Sequence, residues 1–122
     1  MGFTVSTHHC PESGHAIVEA AGEVDQLTRA RLAAALVAAV DAVVDGRGGT
    51  AVVLDLSDVS FFSAAGVHCL EDAAEALAAY GRCLHLVCPP EGPAWTVLGL
   101  LGLLPAWPVH ATLDRATRAL VD

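Results

Sequence analysis

Three sets of residues carry side chains that chemistry would need. Cys83, His85 and Cys88 stand close together and have the types of soft zinc ligands. The stretch that holds them, Cys83–Cys88, is apolar and reads as a strand, in which side chains alternate between faces. Residues 83 and 85 would then share one face and residue 88 the other, so buried structural thiols are expected and a metal site is not. His8, His9 and Cys10 form the second set, but Pro11 and Gly14 beside them signal a solvated hairpin end. The third set is Asp25, Asp55 and Asp58, which could hold a metal or supply a catalytic acid. Asp55 falls inside an apolar strand, and Asp58 has the setting of a turn former that bonds nearby backbone.

No serine or histidine stands in a recognisable nucleophile–base context. Gly46, Gly48 and Gly49 follow a helix instead of opening one, unlike a loop that cradles phosphate. The residues therefore predict a non-enzymatic protein with no cofactor.

Composition narrows the partners. The chain has 122 residues, 54% of them hydrophobic, and a formal net charge of -8. Its length predicts a single domain, 1–122, with a core that needs neither disulfide nor metal. All six of its cations are Arg and its acids are scattered, so a phosphate backbone would be repelled and nucleic-acid binding is not expected. A protein partner, such as a basic one, fits this charge better. The most apolar run, residues 94–107, is broken by Gly99, Gly102 and Pro105 and falls short of the roughly 20 residues of a membrane span. No secretion signal opens the sequence, so a cytoplasmic location with reduced thiols is expected. Abundant Ala and Arg without Lys match the usage of high-GC bacterial genomes.

The elements that must position these residues follow from periodicity. Phe3–His8 and His15–Ala21 read as two strands of a hairpin. Leu32, Leu36, Val40 and Val44 then mark an amphipathic helix from Leu27 onward, with Asp25 as its N-terminal signal and Gly46 as its stop. Ala51–Leu56 is continuous and β-branched, as in a central strand buried on both faces. Ser57–Ser63 reads as a loop, and Val67, Leu70, Ala74 and Leu77 as the stripe of a second helix that ends at Gly81. Strand Cys83–Cys88, helix Pro93–Leu103, strand Val109–Thr112 and a helix through Leu113, Ala116, Thr117 and Leu120 complete the chain. The order β-β-α-β-α-β-α-β-α predicts an α/β fold with a mixed, mostly parallel sheet, helices packed on it, and one opening antiparallel hairpin.

Two segments in this frame carry a family resemblance. Gly22-Glu23-Val24-Asp25 joins a strand to a helix, and the run from Val53 to Gly66 crosses from the central strand into the next helix. Together they resemble the STAS domain family, which includes bacterial anti-sigma factor antagonists. In that family the second loop reads aromatic, apolar, Asp, Ser, Ser or Thr, Gly, and the first of those serines accepts phosphate from an anti-sigma factor kinase. Here the resemblance sets Phe61 and Phe62 in the aromatic and apolar places and Ser63 in the Asp place. Ala64 falls in the phosphoserine place, Ala65 in the second hydroxyl place, and Gly66 matches. Asp25 is expected beside this loop.

The resemblance implies a protein-binding regulatory module of transcription that engages a kinase-like anti-sigma factor and is not switched at Ala64. Phosphate at a helix N-terminus would bring nearly two negative charges into an interface, and alanine has no hydroxyl to accept it. The implied contact surface is Asp25, Asp58, Ser60, Phe61 and Phe62 with the helix face around His68, Glu71, Asp72 and Glu75. Ser63 is expected to cap the helix; a shifted phosphosite on Ser63 or Ser60 is the alternative. An adaptor subunit of an ABC-type transport complex is the other role open to such a domain. The helix from Pro93 has scarcely any polar face, so it is either a core helix or a partner or homodimer surface.

Overall fold

The computed structural model describes residues 2–9, 15–45 and 51–121. Alternating apolar segments form five strands: β1 Phe3–His9, β2 Ala16–Val24, β3 Ala51–Phe62, β4 Cys83–Val87 and β5 Val109–His110. Four helices, α1 Arg29–Val44, α2 Ala64–Ala78, α3 Pro93–Leu100 and α4 Leu113–Val121, alternate with them after the hairpin, and a 3-10 turn spans Leu104–Ala106. The sheet order is β1-β2-β3-β4-β5, with β1–β2 antiparallel and every other pair parallel. This is the expected α/β architecture. Among the described residues, no helix is long and apolar enough to cross a membrane.

The strand period sorts the side chains onto two faces. Val18, Leu54 and Leu86 face the main core with Leu32, Leu36 and Val43 of α1 and Leu70 and Leu77 of α2. Ile17, Val53 and Val87 face the other way, where Ala116 of α4 covers them. Strands buried on both faces need apolar residues at successive positions, which is why Ala51–Leu56 shows no polar alternation until Asp55.

The largest departure from expectation is β3. It does not give way to a loop at Ser57 but continues to Phe62, paired in parallel with β2 across two register irregularities. Val59 and Phe62 are buried along this extension while Ser57, Asp58, Ser60 and Phe61 are exposed. Bulges of this kind add residues to one strand without ending its pairing. β2 likewise runs on to Val24, and Gly22 permits it. Gly22 has φ +97°, and a Cβ there would run into the carbonyl oxygen of Gly2.

Other boundaries shift by shorter amounts. α1 begins at Arg29 with Thr28 at its N-cap, so Leu27 lies in the turn before it. β1 runs one residue past the expected His8, so His9 is an exposed strand residue like His8 and not part of a turn. Cys10–Gly14 and Gly46–Thr50, the expected hairpin turn and helix stop, lie outside the described residues. β4 ends at Val87 and β5 at His110, each short of expectation. α3 stops at Leu100 because Gly102, at φ +70°, reverses the chain, and the Leu103 N–H then donates to the Leu98 carbonyl at 2.8 Å.

The apolar helix α3 proves two-sided. Ala94 and Leu98 join the main core and Trp95 and Val97 pack against it, whereas Leu100 and Leu101 are 83% and 54% exposed.

Candidate functional site

β2 and β3 are parallel neighbours, so their C-terminal ends emerge side by side, and both lead into helices. Glu23 pairs with Phe61 and Val24 with Phe62. Immediately beyond, the Ser63 N–H donates to the Val24 carbonyl at 3.0 Å. This edge of an open α/β sheet, where strands end and helices begin, is the usual location of binding sites.

The β2 side of the edge is a closed turn. Asp25 Oδ1 accepts from the backbone N–H groups of Leu27 (2.9 Å) and Thr28 (3.1 Å). Thr28 answers: its Oγ1 accepts from the Asp25 N–H at 3.0 Å and donates to the Glu23 carbonyl at 2.8 Å. The arrangement satisfies the donors at the entry to α1 reciprocally, in the manner of a capping box. Asp25 is thus beside the loop as expected, with its carboxylate engaged in holding the turn. Thr28 was not singled out from the sequence, although its spacing three residues after an Asp is the signal that reveals it. Leu27, raised on this turn, is 90% exposed.

The β3 side presents α2. Ser63 is extended at the N-cap (φ -102°, ψ 176°), and its Oγ accepts from the Ala65 N–H at 3.2 Å. The Ser63 carbonyl accepts from the Gly66 N–H at 3.0 Å. Ala64 is the first helical residue and is exposed, while Ala65 and Gly66 are buried. Gly66 sits against the aromatic ring of Phe62: a Cβ there would lie 2.6 Å from its Cε1 and 2.9 Å from Val24 Cγ1.

Of the residues expected to face a partner, Phe62 does not. It is 3% exposed and lies in the main core, supporting the loop from below. Its neighbour Phe61 is 50% exposed, consistent with the two-residue period of the strand. Asp58 and Ser60 also point outward.

Helical spacing sets Ala64, His68, Glu71, Asp72 and Glu75 along one exposed stripe of α2. His68 Nδ1 lies 3.7 Å from Glu71 Oε1, a solvated contact of little energetic weight. Beside this stripe a shallow, mostly apolar groove of about 170 Å³ runs between α1 and α2, bordered by Val37, Asp41, Cys69 and Asp72. Burial pushes the Cys69 thiol above its usual range, opposed by the Arg29 charge and reinforced by Asp72. Neither α1 nor α2 carries a basic residue in its last turn.

The chemistry-bearing sets do not assemble a metal centre: among the described residues, no three His, Cys, Asp or Glu side chains are grouped to hold an ion. Cys83 is exposed and Cys88 buried. His85 instead pairs with His110, Nδ1 to Nε2 at 3.0 Å. Asp55 is buried and accepts from the backbone N–H and hydroxyl of Ser57.

A family model described as the STAS domain matches residues 11–116. No curated protein sequence matches the chain. Among solved structures, an anti-sigma factor antagonist from Mycobacterium paratuberculosis is 27% identical, with a TM-score of 0.85 and coverage of 99% of this chain and 96% of that one. The Bacillus cell fate determinant SpoIIAA in its phosphorylated form is 18% identical, with a TM-score of 0.64 and coverage of 98% and 99%. An anti-sigma-factor antagonist (STAS) domain protein from Planctomyces limnophilus is 16% identical, with a TM-score of 0.71 and coverage of 97% and 98%. The last two likenesses show the shared fold.

Proposed function

This chain belongs to the STAS domain family, and from that premise we propose that it is a non-catalytic antagonist of a kinase-like anti-sigma factor, not switched by phosphorylation at position 64. The reading is of a protein at work in the bacterial cytosol. One observation carries it: the exposed first residue of α2 is Ala64, while the neighbouring Ser63 hydroxyl is engaged at the Ala65 N–H.

The physical consequence follows from the site. A phosphoserine at the first turn of α2 would be stabilised by free N–H groups and the helix dipole, and would also set a doubly charged group on the binding edge. Ala64 removes the acceptor and leaves the edge apolar. Leu27 and Phe61 are exposed apolar residues of the same edge, and Asp58, Glu71 and Asp72 add acid to it. That combination favours a partner face with an apolar centre and a basic rim.

The test is a calorimetric titration of the cognate anti-sigma factor with wild type, Ala64→Asp and Phe61→Ser. Wild type is expected to bind. Ala64→Asp and Phe61→Ser are each expected to weaken binding at least tenfold, about 1.4 kcal/mol. Absence of binding by a folded wild type, or indifference to both substitutions, contradicts the reading.

A further inference from the structure

We propose that a second pocket, at the far end of α2, is a binding site for a small carboxylate with an apolar body. It lies between the last turns of α2, the start of β4 and the segment before β5, and its volume is about 350 Å³. The rise of 1.5 Å per residue sets it about 20 Å from the N-terminus of α2. It is therefore separate from the edge assigned to the anti-sigma factor, and goes beyond that reading.

The polar feature of this pocket is Arg82. Its Nε is buried and has no hydrogen-bond partner among the described residues, and its guanidinium forms no ion pair with a described carboxylate. Other arginines are used differently. Arg31 donates from Nη1 to the Phe3 carbonyl at 2.8 Å and lies over the Phe3 ring, and Arg118 pairs with Asp114 at 3.1 Å. A buried donor left unmade is costly, and native structures rarely retain one. Arg82 lines the pocket, and the paired Nη groups of a guanidinium match the two oxygens of a carboxylate.

The surroundings fix the charge and body of the ligand. The C-terminal end of α2 lies at the pocket and its last turn has no basic residue, so Arg82 is the cation that meets the negative end of the helix dipole there. Glu75 also borders the pocket, and the chain carries a net charge of -8. One guanidinium in that field suits a monoanion better than a dianionic phosphate. The remaining walls include Ala74, Ala78, Leu84, Trp107 and Pro108, which offer apolar contact to an aliphatic or aromatic body.

The experiment compares octanoate with 1-octanol, which has the same chain length without the charge, on isotope-labelled full-length protein. Resonances of the Arg82 Nε–H and the Trp107 indole are followed by NMR. Octanoate is expected to shift both saturably and to move the Arg82 Nε–H downfield; octanol is expected to bind at least tenfold more weakly. Arg82→Gln is expected to weaken octanoate at least tenfold and to leave octanol unchanged. The wild-type comparison stands even if that variant folds poorly. Equal responses to the two ligands, an unmoved Arg82 Nε–H, or shifts confined to the groove between α1 and α2 would overturn the proposal. None of these outcomes bears on anti-sigma factor binding, which is measured separately.

Discussion

The Ser63 N–H donates to the Val24 carbonyl at 3.0 Å, joining two segments that are far apart in sequence. The bond fastens the end of β3 to the end of β2 just where both strands turn into helices. On one side Asp25 and Thr28 close the turn into α1; on the other Ser63 caps α2. The N–H groups of Asp25, Leu27, Thr28, Ala65 and Gly66 all find partners within the same two turns, which ties the edge together.

Gly66 is required by this edge for space. A Cβ would come within 2.6 Å of Phe62 Cε1 and 2.9 Å of Val24 Cγ1. Overpacking of this kind costs about 1–3 kcal/mol, against a gain of up to about 1 kcal/mol in helix propensity. Gly66→Ala is therefore expected to lower stability, by up to about 2 kcal/mol in urea unfolding once the full propensity gain is set against it. In a Phe62→Leu background, with the ring gone, the same change is expected to cost less. An equal or greater cost there would show that the ring is not the obstacle.

The histidine pair predicts a dependence on pH. His85 Nδ1 lies 3.0 Å from His110 Nε2, with the rings stacked 5.3 Å apart at 10°. One nitrogen must donate and the other accept, so a proton on both breaks the bond. Burial first, and then the neighbouring His110 and His15, hold the pKa of His85 below its usual 6.5. The unfolded chain thus binds the proton more readily than the folded one, and stability rises with pH across this window. The contribution is complete above the unfolded value and lost as pH falls through the folded one. Urea midpoints at about pH 7.5 and 5.5 are expected to differ more for wild type than for His85→Gln. Equal differences would remove His85 as the cause.

Thiol reactivity separates the cysteines by environment. Cys83 is exposed, whereas Cys69 and Cys88 are buried. Burial first, with a smaller contribution from Asp55, pushes the Cys88 thiol up to about 12. The thiolate is the reactive form, so in a Cys10→Ser background native protein is expected to take one iodoacetamide label rapidly, at Cys83. Cys69 and Cys88 should be labelled only on unfolding. Rapid native labelling of Cys88 would contradict the burial of its side chain just beyond β4.

Much of this was legible in the sequence because the fold relies on simple periodicities. The stripe Leu32, Leu36, Val40 identifies the buried face of α1, and the unbroken run Ala51–Leu56 identifies a strand covered on both faces. Residues 57–62 are where local pattern misleads, because serines, Asp58 and paired aromatics look like a loop. Parallel pairing with β2 overrode that local preference through register irregularities that no single-strand pattern encodes. Phe62 was misplaced for the same reason: once β3 continues, alternation sends Phe61 out and Phe62 in. In α3, hydrophobicity could not divide Leu98 from Leu100, since that split depends on where the neighbouring strands lie. The pairing of His85 with His110 was equally hidden, being a contact between strands distant in sequence.

Binding in the presence of ATP tests most directly whether the protein is free of phosphorylation control at position 64. The cognate anti-sigma factor kinase is incubated with this protein and ATP, and affinity and intact mass are measured together over time. Wild type is expected to keep its affinity and gain no phosphate, whereas Ala64→Ser is expected to be phosphorylated and released. Addition of phosphate to wild type at Ser63 or Ser60 with loss of binding would contradict the account.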